Sequence, residues 1–61
     1  MQTPESDLKL MLREAEKHMQ YARVDVSAGR ALFAIKNIGI AFEHYLRYFE
    51  KKLDNLENKN D

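Results

Sequence analysis

Cysteine is absent from this chain of 61 residues, as is tryptophan, and the chain holds one proline and two glycines. The missing cysteine excludes disulfide bonds, thiol chemistry, Cys-ligated zinc and iron–sulfur clusters together. An excess of either charge is missing too, because ten Lys and Arg balance ten Asp and Glu for a formal net charge of zero. No broad basic field therefore exists to attract nucleic acid or an anionic membrane, and no acidic field stands in its place. Long apolar runs are also lacking. The uncharged stretches 31–35 and 37–42 are split by Lys36, and both fall far short of the roughly 20 residues a membrane span requires. The opening residues Met1, Gln2, Thr3, Pro4, Glu5, Ser6 and Asp7 are acidic, and no apolar segment follows them, whereas a secretory leader starts basic and continues apolar. A cytoplasmic location, with no membrane partner, is the expectation.

What remains favours helices. Hydrophobic residues make up 44% and charged residues 33% of the chain, too apolar for obligate disorder, and Leu, Ala, Glu, Lys and Arg are strong helix formers. Thr3 and Pro4 mark a helix start, with Thr as the cap and Pro at the first helical position. Glu5 and Asp7 then fall in the first turn, where the helix dipole favours negative charge. Leu8, Leu12, Ala15, Met19, Ala22 and Val26 recur at spacings of four and three, flanked by Met11 and His18, which is the stripe of one amphipathic helix.

A second stripe follows Ala28, Leu32, Ile35, Gly39, Phe42, Leu46, Phe49, Leu53 and Leu56, widened by Ala31, Ile38 and Tyr45. The two stripes are out of phase, since extending the first one forward lands on Lys36, Glu43, Arg47 and Glu50. A turn is therefore expected between them, with one continuous kinked helix as the competing reading, and the segment from Val24 to Gly29, with β-branched, capping and glycine residues, suits a turn. The pattern predicts an all-α antiparallel hairpin in which residues 1–61 form one domain. Helix 1 covers about 4–24, a turn about 25–28 holds Asp25 or Ser27 as the cap of the second helix, helix 2 covers about 28–57, and 58–61 form a frayed tail.

A chain this short buries only about 60% of its unfolded surface, so a second subunit is expected to complete the core. The simplest closed arrangement is a homodimer in which two hairpins make a four-helix bundle. The expected core sets Ile35, Ile38, Phe42, Leu46 and Phe49 against Leu8, Leu12, Ala15 and Met19, while Gly39, Ala31, Ala34 and Ala41 admit close helix approach. Phe33 and Ile40, one heptad apart on the otherwise polar side, form a further contact surface. A turn near Val26 would place Leu8 opposite His44, leaving Tyr45, Leu46, Tyr48, Phe49, Leu53 and Leu56 as an overhang for another chain to cover. The oligomer or partner interface predicted from sequence is thus Phe33, Ile40, Tyr45, Leu46, Tyr48, Phe49, Leu53 and Leu56.

Chemistry is sparse. His18 follows Glu14 by four residues, which sets two potential ligands on one helical face, but two do not complete a metal site. His44 has Glu43 beside it, and adjacent helical residues diverge by about 100°. The Glu-x-x-His pattern of di-iron bundles is absent, because Ala15 and Ala41 precede the two histidines by three. Ser6 and Ser27 suit helix-start and turn positions better than nucleophilic roles, and no phosphate-binding glycine loop occurs. The expectation is no enzyme, no metal, no cofactor and no small-molecule substrate.

Lys9, Arg13 and Lys17 form a row that can track phosphates, but Glu5, Glu14 and Glu16 interrupt its surroundings, so a solvated salt-bridged face is expected. Arg47, Lys51 and Lys52 lie near the end of helix 2, where the dipole favours cations. The function expected is a small protein–protein interaction module, an adaptor, inhibitor, chaperone or accessory subunit, that partners itself and through its helix faces another protein. The alternative is a dimeric nucleic-acid-binding regulator using Lys9, Arg13 and Lys17.

Overall fold

The computed structural model describes residues 2–59 as two helices, α1 (Glu5–Ser27) and α2 (Ala31–Lys59), packed against each other as an antiparallel hairpin. Asn60 and Asp61, part of the tail expected to fray, lie outside the described residues, and the helix continues through Asn58 and Lys59.

The break between the helices is set by one glycine. Gly29 has φ of +75°, the left-handed conformation that residues with a Cβ adopt at a cost. Around it the Arg30 N–H donates to the Asp25 carbonyl at 2.7 Å and the Gly29 N–H to the Val26 carbonyl at 3.1 Å. This pair of bonds is the Schellman arrangement that satisfies the last carbonyls of a helix. It carries α1 through Ser27, past the end expected near residue 24, because the β-branched and capping residues before Gly29 are tolerated in a helix whereas the left-handed φ belongs to the glycine. Asp25 and Ser27 are accordingly α1 residues and do not cap α2. The Arg30 carbonyl accepts the Ala34 N–H at 3.0 Å and starts the second helix.

At the other end the expected cap is also displaced by one position. Pro4 takes the cap place itself, its carbonyl accepting from the Asp7 and Leu8 N–H groups at 3.1 Å each, and no side chain caps the helix. The backbone of Thr3 is held across the hairpin by Asn55. Lys52 lies 3.8 Å from Glu5 in the same region. The end of α2 therefore runs beside the start of α1, and the overhang expected from Tyr45 to Leu56 does not exist. The longer α1 and the turn's position after Ser27 shift the register and remove it.

The seam between the helices is narrow. Leu8, Ala15 and Ala22 of α1 and Ala34, Ala41 and Asn55 of α2 are buried, each set spaced by seven or multiples of seven. Ala15 and Ala41 have no exposed surface at all. Alanine leaves little side chain to separate two backbones, so of the four residues expected to admit the close approach Ala34 and Ala41 do so and Gly39 and Ala31 do not. A Cβ built at Gly39 would meet nothing within 4 Å, and Ala31 is exposed. Within one chain the large α2 residues expected in the bundle core are left uncovered: Ile35 is 64%, Phe42 61%, Phe49 55% and Leu46 44% exposed, and Ile38 is exposed too. Leu12 and Met19 of α1 are half-buried. The large residues of α2 line a stripe roughly a quarter-turn away from the alanines, and the helices meet along the smaller residues.

The molecule measures 49 × 16 × 12 Å, a single layer of helix. Its radius of gyration of 14.3 Å exceeds the roughly 10.5 Å of a compact chain of this length. No helix among the described residues is long and apolar enough to cross a membrane.

Candidate functional site

A hairpin one layer thick has two broad faces, and helical geometry sorts their residues. The apolar face carries Ile35, Ile38, Phe42, Leu46, Phe49, Leu53 and Leu56 from α2, all exposed. Across the seam it is continued by Leu12, Met19 and Val26 of α1, since Met19, Ala22, Val26 and Ile38 line one cleft. Tyr45, half-buried, closes a second cleft on this side with Met19, Arg13 and Arg23. The stripe from Ile35 to Leu56 runs for about 32 Å of helix.

The edges of this face differ in charge. Rotating outward from the seam, α1 presents Lys9, Arg13 and Arg23 with two acids, Glu5 and Glu16, whereas α2 presents Glu43, Glu50 and Glu57 with one base, Lys36. The basic row read from the sequence is thus solvent-exposed at Lys9, Arg13 and Lys17, and it borders the apolar stripe. Lys17 is turned toward Glu14, with its Nζ 2.9 Å and 3.2 Å from the two carboxylate oxygens.

The opposite face holds a chain of polar side chains. Asp25, buried in the seam, accepts from Arg30 Nε at 3.1 Å and Nη2 at 3.0 Å on one oxygen, and from Asn37 Nδ2 at 2.9 Å on the other. Asn37 Oδ1 lies 3.0 Å from His18 Nδ1. Because a carboxylate only accepts, Asn37 must point its amide N–H₂ at Asp25 and its oxygen at His18, so His18 Nδ1 carries the proton. The lone pair of the neutral ring is then on Nε2. His18 stacks on His44 with ring centroids 5.8 Å apart and planes 12° from parallel, and it meets the edge of Tyr21 at 5.5 Å.

Glu14, one turn before His18, joins the two histidines, and one potential ligand atom from each of the three lies within 4.8 Å of the others. All three are half-buried. Lys17 holds the Glu14 carboxyl below its ordinary value through its hydrogen bond, against the opposing effect of desolvation and with smaller lowering contributions from the charges of Lys17, His44 and His18. Lys17 is correspondingly raised by the same bond. Sequence spacing finds Glu14 and His18. It misses His44, which is brought in from the other helix by the register of the seam.

No protein-family model, curated protein or solved structure matches this chain.

The interface residues expected from sequence divide between the faces. Leu46, Phe49, Leu53 and Leu56 are exposed on the apolar face, with Tyr45 beside them. Tyr48 is half-buried on the seam line between Ala41 and Asn55, its ring 5.4 Å from Phe49. Phe33 and Ile40 are exposed on the polar face, where Phe33 shares a shallow cleft with Tyr21, Val24 and Asn37 and Lys36 Nζ sits 5.9 Å from its ring centre. Ile35, Ile38 and Phe42, expected in the bundle core and not counted among those interface residues, are the central members of the apolar face.

Proposed function

We propose that this chain is a helical-hairpin interaction module whose apolar face closes on a second copy of itself, giving a four-helix bundle with the polar faces outward. The observation that carries this is the amount of surface left open. The chain exposes 4902 Å², about 800 Å² more than the roughly 4100 Å² expected of a folded monomer of its mass. That excess matches the roughly 800 Å² each partner contributes to a standard stable interface. The face from Ile35 to Leu56 carries seven exposed large apolar side chains, each worth about 1.5–3 kcal/mol when fully buried.

Charge supports a second copy as the occupant and suggests its orientation. With the twofold axis parallel to the helices, α1 of one protomer faces α2 of its partner. That axis keeps each residue's level along the helices, so with Thr3 beside Asn55 it sets Lys9 of one protomer near Glu50 of its partner and Arg13 near Glu43 at the two borders of the apolar contact, while Arg23 comes level with Lys36. The perpendicular axis would set like edges together, which disfavours it. The basic row finds a use within the assembly on this reading, in place of nucleic-acid binding. The bundle acts through its outward surfaces, and no catalytic step is assigned to it.

The test is solution mass by light scattering on single variants. Phe42→Lys and Phe49→Lys are expected to convert a species of two chains to one, while Phe33→Lys and Ile40→Lys, on the other face, leave it paired. Loss of pairing in the Phe33 and Ile40 variants with retention in the Phe42 and Phe49 variants would assign the interface to the wrong face.

A further inference from the structure

We propose that Glu14, His18 and His44 form a binding site for a divalent transition-metal ion, with Zn²⁺ the ion their chemistry suits best. Two imidazoles and one carboxylate are borderline donors of the type that hold Zn²⁺ in a three-ligand site with a fourth position open to solvent or another ligand. The three groups come from both helices, and one potential ligand atom from each already lies within 4.8 Å of the others. Tetrahedral ligands at zinc stand about 3.4 Å apart, so side-chain rotation alone draws them in. The stacked histidine rings tilt apart, and Glu14 exchanges its Lys17 contact for the ion.

A second observation is independent of that proximity. A histidine that ligates through one nitrogen usually donates from the other to a fixed acceptor, which sets its tautomer and raises its basicity. His18 has this support: Asn37 Oδ1 takes the Nδ1 proton, Asn37 is fixed in turn by Asp25, and Asp25 by Arg30. Asp25 is a buried carboxylate at the end of this line. The chain of contacts aims a lone pair of His18 away from Asn37, at Nε2, and holds the ring at the seam. The site lies within one chain, on the face away from the proposed dimer contact, so it does not depend on pairing.

The experiment is titration of the untagged protein with Zn²⁺ against a competing chromogenic chelator, with Co²⁺ absorption as a second readout of coordination. One ion per chain is expected. His18→Gln and His44→Gln should each weaken binding at least tenfold with helix content by circular dichroism unchanged. Asn37→Ala should weaken it about 10- to 100-fold although it removes no ligand. Lys17→Ala, which removes the competing cation, should strengthen it. Absence of saturable binding at micromolar Zn²⁺, or binding that the two histidine substitutions leave unchanged, would overturn the site. A stoichiometry of one ion per two chains would overturn it equally, by requiring ligands from different protomers. If either glutamine variant loses helix content, His44→Asn and Glu14→Gln, scored by the Co²⁺ spectrum of folded protein, decide in its place.

Discussion

Asn55 grips the backbone of Thr3 with both ends of its amide, Oδ1 accepting the Thr3 N–H and Nδ2 donating to the Thr3 carbonyl, each at 2.8 Å. A buried side chain near the end of α2 thereby fixes the residue before Pro4, which has no side-chain cap of its own helix to do so. Asn55→Ala is expected to destabilise the hairpin by about 1–3 kcal/mol, since two bonds are lost and one backbone pair is left to find water. Urea unfolding measures the loss. Hydrogen exchange should place it in the first turn of α1, and an unchanged exchange rate there would show that Asn55 does not anchor the N-terminus.

Gly29 is the hinge of the hairpin, and its cost on substitution is one of backbone alone, because a Cβ there would meet nothing within 4 Å. Gly29→Ala is expected to lose about 1–2 kcal/mol from the left-handed φ, and Gly29→Asn less, as Asn tolerates that conformation. Equal losses in the two variants, measured by thermal unfolding, would mean that something other than φ is at work.

Both helices and the break between them were legible in the sequence, because two apolar stripes out of phase cannot lie on one straight helix. The packing was legible in part: Leu8 and Ala15 lie in the core and Ala34 and Ala41 at the close approach, as expected, but the side of α2 that meets α1 was not. Periodicity marks Phe42 and Phe49 as one face of α2 and Ala34 and Ala41 as part of its flank, but it does not say which face meets α1. Hydrophobic size argued for the phenylalanines. Alanines let two helices come close with Leu8 and Asn55 filling the ends, and the large residues stay outside, free to meet another chain. The register had the same weakness, since moving the turn from Val26 to Gly29 slides α2 along α1 and brings His44 to His18. The polar chain from Arg30 to His18 was invisible for that reason: its members are separated along the chain and join only through the turn and the seam.

Glu14 provides a check on the polar face by pH. Its carboxyl is held below the ordinary value of 4.5, chiefly by the hydrogen bond from Lys17. A group whose folded value is depressed contributes stability that is present above the unfolded value and is lost as pH falls through the folded one. Carbon-detected NMR titration of Glu14 should therefore give a midpoint under 4.5, and Lys17→Ala should move that midpoint upward. A midpoint insensitive to Lys17 would remove the pairing.

The charged borders of the apolar face make a separate prediction about orientation. Glu50→Lys is expected to weaken pairing several-fold at low salt, and the second substitution Lys9→Glu to restore part of it, because exposed pairs contribute about 0.2–1 kcal/mol each. Sedimentation velocity across a dilution series reads the change. Pairing in the double variant no stronger than in Glu50→Lys alone would argue against α1 lying opposite the partner's α2.

The most direct measurement is the mass of the unmodified protein by sedimentation equilibrium at micromolar concentration. A single species of twice the 7.2 kDa chain mass is expected if the face from Ile35 to Leu56 is covered by a second copy. A species of one chain mass that stays folded across the same range would contradict it, leaving that face open in a stable monomer.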